Sequence, residues 1–160
     1  MFNVKYEDEN TEKELKETKK KIIVVSHSIP FADGLIIHKI LERLRIDHKI
    51  YSRYMWFLTP EWCIDVKPGG FVKQQIEELK DKEEVCRVLF PSGGTIKWKT
   101  GYKYIAEGID AKIFGMGIDY TKMNVCVYSG ENVKMKLGQV PICWFGKLMR
   151  LFGYGCQAFI

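Results

Sequence analysis

The chain has 160 residues, 46% of them hydrophobic and 28% charged, and a formal charge of +5. That is enough for one domain with a real core, and the mild positive balance suits phosphates or an acidic membrane surface while falling short of a nucleic-acid signature. Five cysteines with no C-x-x-C pair read as free thiols in a reducing compartment rather than a disulfide or zinc framework.

Residues 1–20 are rich in Glu and Lys and read as a charged arm or a solvated helix. They are too charged for a secretory signal, and no run of eighteen apolar residues follows anywhere, so no membrane-spanning helix is expected. "KIIVVS" (21–26) is the first buried strand. "GLIIHKILERLR" then places Ile36, Ile37, Ile40, Leu41 and Leu44 on one helical face. "DHKIYSRY" reads as a second strand, and "PGG" (68–70) leads into a helix with Phe71, Val72, Ile76 and Leu79 at helical period.

"VCRVLF" (85–90) is a buried strand ending in the loop "PSGGTIKWKTG". A short helix "YKYIAEG" follows, then two strands, "AKIFGMGI" and "MNVCVYSG". Strands alternating with helices predict an α/β fold: a single layered domain over 21–138 with a mixed, largely parallel sheet flanked by helices. The aromatic-rich segment 139–160 carries Trp144, Phe145, Phe152 and Tyr154 beside Lys147 and Arg150. It would pack on the core or lie at a membrane interface.

Two places can carry chemistry. His27 ends the first strand and Asp33 follows six positions later, at the strand end where open α/β sheets hold ligands. A neutral imidazole there can take a proton from a hydroxyl, and a carboxylate can fix its tautomer. Asp33 also stands where it could serve as the N-cap of the helix after it. The second place is the glycine loop after "VCRVLF", where backbone N–H groups, Ser92, Thr95, Lys97 and Lys99 could meet an anion, although no P-loop spacing is present. His38 and His48 form no metal-ligand spacing, and no metal site is expected.

In order, "SH…D", "IDVKPGG", "LFPSGGT", "WKTGYKYIA" and "GIDY" resemble the glycerolipid acyltransferases of the 1-acylglycerol-3-phosphate type, in the small branch without a long membrane anchor. The likeness spans about residues 22–130, and 98–120 is its most specific part. It implies an O-acyltransferase that moves a fatty acyl group from acyl-CoA or acyl-carrier protein to a lysophospholipid hydroxyl, with no bound cofactor. His27 would be the general base and Asp33 its partner. Ser92, Gly93, Gly94 and Thr95 would form the phosphate loop, with Lys67 and Lys97 in place of the family's arginines. A peripheral protein on the cytoplasmic side of a membrane, not secreted and not bound to nucleic acid, goes with that reading.

The chain departs from the family pattern beyond those lysines, and the stretch before "IDVK" is shorter than the family's. Five residues rather than four separate His27 from Asp33, and Ser92 replaces a glutamate. Those departures motivate two alternatives, a decayed lipid or acyl-CoA binding module and a lipid ester or thioester hydrolase.

Overall fold

The computed structural model describes residues 1–26, 32–52, 60–67, 69–91 and 98–141. They form one α/β domain around a seven-stranded mixed sheet of order β1-β7-β6-β2-β5-β3-β4. Its strands are β1 (Asn3–Tyr6), β2 (Lys20–Ser26), β3 (Lys49–Ser52), β4 (Cys63–Asp65), β5 (Val85–Leu89), β6 (Lys112–Asp119) and β7 (Asn124–Ser129). The five strands from β6 to β4 are mutually parallel, β7 pairs antiparallel with β6, and β1 runs parallel to β7.

β2 is central because both of its faces are apolar. Ile23 and Val25 point into one cluster, with Leu15 of α1 (Glu9–Glu17) and Ile37, Ile40 and Leu41 of α2 (Ala32–Arg43). Ile22 and Val24 point into the other, with Leu79 of α3 (Phe71–Leu79), Ile105 of α4 (Gly101–Ile109) and Leu137 of α5 (Val133–Gly138). A strand covered on both sides has no solvent face to mark with polar residues, hence the unbroken β-branched run. Each fully buried aliphatic side chain in that run contributes about 1.5–3 kcal/mol.

Three features differ from the sequence expectation. The first twenty residues hold a strand as well as a helix: β1 completes the sheet edge, and α1 docks through Leu15 and Thr11, its N-cap Asp8 accepting from Thr11 N at 2.6 Å. A short strand, β4, precedes "KPGG", and Gly69 and Gly70 (φ +85° and +71°) turn the chain from it into α3. The stretch 131–138 carries the short helix α5, close against β6. The aromatic segment expected to pack on the core or at a membrane falls, from residue 142 on, outside the described residues.

Candidate functional site

Parallel strands bring their carboxyl ends to one edge. Ser26, Leu89, Ser52, Asp65 and Asp119 therefore end their strands on the same side of the sheet. His27 is the next residue after Ser26 and lies outside the described residues, as do Ser92, Gly93, Gly94, Thr95 and Lys97. The described residues flank both stretches. β2 and β5 are neighbours in the sheet, and past the end of β5 Lys99 N donates to Pro91 O at 2.8 Å.

Asp33 is on this edge and has no solvent exposure. It does not cap α2. The helix begins at Ala32, so Asp33 sits inside the first turn, where the helix dipole favours its negative charge. Its Oδ1 accepts a hydrogen bond from the hydroxyl of Tyr120, which follows β6. Asp119 shapes that connection by accepting from Thr121 N at 3.0 Å and Lys122 N at 3.2 Å. Phe2 meets the Tyr120 ring edge to face, with centroids 5.6 Å apart.

Lys67 is exposed and follows β4, three strands from β2. At the usual strand spacing that is about 14 Å along the edge. The structure thus joins Asp33 to Tyr120 and sets Lys67 well apart. Cys86 lies buried within β5, and burial pushes its thiol up to about 12, so it is no candidate nucleophile.

An apolar groove runs along the outer face of α2. Met1, Phe2, Leu35, Ile36 and Ile40 line about 580 Å³, with Lys39, Glu42 and Arg43 at its margin. Leu35 is 51% exposed there. The aromatic stretch 54–62 lies outside the described residues up to Thr59.

A second cluster was not anticipated. His38 of α2 and His48, just before β3, meet Nδ1 to Nε2 at 3.0 Å. His48 Nδ1–H donates to Ile46 O at 2.8 Å, which leaves Nε2 to accept from His38. The His38 ring stacks on Trp62 at 4.3 Å, the planes 13° apart. Burial, and then the neighbouring His48, lower the His38 pKa. His48 and Trp62 precede their strands, so the cluster lies toward the opposite, amino-end edge. Among the described residues, no group of three His, Cys, Asp or Glu side chains is arranged to hold a metal ion. Its only sequence signal was two histidines flanking a short helix-to-strand connection.

No protein-family model matches the chain, and neither the curated proteins nor the solved structures include a significant match to it. Among the described residues no helix is long and apolar enough to cross a membrane.

Proposed function

We propose that this chain is an acyltransferase of the 1-acylglycerol-3-phosphate type, moving a fatty acyl group from an acyl thioester to a lysophospholipid hydroxyl. The observation that carries this reading is Asp33: a fully buried carboxylate at the carboxyl edge, in the helix that follows the strand leading to His27. His27 takes the proton of the acceptor hydroxyl while its oxygen attacks the thioester carbonyl. The C–O bond forms, the C–S bond breaks, and the departing thiolate recovers the proton from the imidazolium. No covalent enzyme intermediate is needed when both substrates are aligned.

In this reading residues 92–97, between Pro91 and Lys99, supply N–H groups and Lys97 for the acceptor phosphate. Lys67 serves only a ligand long enough to reach across three strands. The α2 groove, with Leu35 exposed and Lys39, Glu42 and Arg43 at its margin, gives the domain an apolar face that suits peripheral contact with an anionic membrane.

The test uses radiolabelled oleoyl-CoA and lysophosphatidic acid on anionic vesicles, with His27→Ala as control. Acyl transfer that disappears in the control is the expected result. A folded His27→Ala protein as active as wild type overturns the reading. Saturable binding without turnover identifies a lipid-binding module instead, and free fatty acid released undiminished at saturating acceptor identifies a hydrolase.

A further inference from the structure

The sheet has a second concave space at its amino-end edge, opposite Asp33. A cavity of about 170 Å³ lies there between the end of α1, the starts of β2 and β5, and the turn after α2. We infer that it is a binding site for one phosphate-sized anion, held by the buried ammonium of Lys21. The site lies apart from the acyl-transfer chemistry and stands or falls independently of it.

Lys21 carries the argument. It is second in β2, only 5% exposed, and its Nζ donates to Leu15 O at 2.6 Å. An ammonium has three protons to donate, and this bond to a carbonyl near the end of α1 uses one. Among the described residues no carboxylate forms an ion pair with it. A buried charge in that condition is costly, and burial lowers the Lys21 pKa accordingly. An anion in the cavity accepts the remaining protons and offsets the lost hydration.

The rest of the lining favours the same ligand. Arg45 is exposed, its backbone fixed in the left-handed region (φ +58°) where α2 ends, with Ile46 N donating to Leu41 O at 2.9 Å. Lys16 is tied to Glu12 at 2.6 Å, whereas Lys19 and Arg45 form no ion pair among the described residues. Arg87, 8% exposed, donates Nη1 to Cys86 O at 3.1 Å and leaves Nε without an acceptor. Glu17, Asp47 and Glu84 line the cavity as well, so five cationic side chains stand against three acidic ones, and the excess of two matches a phosphate dianion. The volume suits a tetrahedral oxyanion and falls below the roughly 300–1,000 Å³ of sites for larger ligands.

The test is isothermal titration of the full chain with inorganic phosphate, at about pH 7.5 and about 0.15 M chloride to screen loose surface attraction. Saturable binding at one site is expected, weakened about tenfold or more by Lys21→Met and by Arg45→Gln. Phosphate should also raise the urea midpoint of the wild type and leave that of Lys21→Met in place. Methyl phosphate in a parallel titration separates two sources of the same group: binding as tight as that of phosphate supports a phosphomonoester end, and weaker binding supports the free ion. No saturable phosphate binding to the wild type overturns the inference. So does wild-type affinity in a folded Lys21→Met protein, which would leave Lys21 as a cap on the last turn of α1. If Lys21→Met does not fold, wild-type affinity in Arg45→Gln overturns it equally.

Discussion

A carboxylate removed entirely from water is costly unless its oxygens are hydrogen-bonded, and Asp33 is such a carboxylate. Asn at this position keeps an oxygen for Tyr120 but loses the charge. Asp33→Asn should therefore lower turnover by about 10²–10⁴-fold while unfolding free energy changes by about 1 kcal/mol or less. Steady-state kinetics beside urea unfolding checks this, and a loss of stability without a loss of turnover would make Asp33 structural.

The histidine pair makes a separate prediction at the same scale. The folded-state pKa of His38 lies below its ordinary value of 6.5, chiefly through burial and then through His48. Its stabilising contribution is thus fully present above pH 6.5 and is lost as pH falls through the lowered folded value. Urea midpoints should begin to decline below about pH 6.5, and His38→Phe should flatten that part of the profile. Asp8 and Glu14, whose carboxyls are held below their usual range by Thr11 and by Lys112 respectively, act only at more acid pH.

Elements buried on both faces were the easiest to read from sequence. β2 and β5 announce themselves because every position in "IIVV" and in "VCRVL" is buried. β1 was hidden for the opposite reason: "NVKY" is a four-residue edge strand with alternate positions exposed, and its lysine resembles the charged helix after it. β4 has three residues and α5 six, too few to show a period. The N-cap reading of Asp33 failed because the helix starts one residue before it, and helix boundaries shift by a residue or two on local geometry. The Tyr120–Asp33 contact spans 87 positions and the His38–His48 contact joins a helix to a strand end. Neither has a spacing that sequence could display.

β6 shows what a glycine in a strand can mean. A Cβ on Gly115 would overlap Val133 of α5, and one on Gly117 would stand 2.6 Å from Val140 Cγ2. The two glycines let α5 and the turn after it lie close on the sheet. Gly115→Ala should cost about 1–3 kcal/mol. Adding Val133→Ala should recover part of that loss, so that the double variant is less destabilised than the sum of the singles. Urea midpoints of all three proteins decide it.

At the scale of the whole molecule, charge and the α2 groove act together. With a formal charge of +5 and Lys39, Glu42 and Arg43 around the apolar face, the proposed association with phosphatidylserine vesicles should weaken as salt rises from about 0.05 to about 0.5 M. Leu35→Glu should reduce binding at every salt concentration, because it puts a charge in the apolar face. Vesicle sedimentation measures both effects. Binding unaffected by salt and by Leu35→Glu would rule out the α2 groove as the proposed contact.

β1 has one more consequence, for the order in which the protein is made. Asn3 pairs with Asn124, so β1 is made before the other described strands and its partner β7 after them. The pairs β2–β5 and β2–β6 are also non-local and need crossovers, whereas β6 and β7 form a local antiparallel pair. A growing chain can therefore build the parallel centre first, close the β6–β7 hairpin onto it, and admit β1 last. Until then "NVKY" waits unpaired with only its lysine to discourage strand pairing with a neighbouring nascent chain. The contact between Phe2 and Tyr120, and the final seating of Tyr120 beside Asp33, would be completed only when synthesis of the sheet is complete.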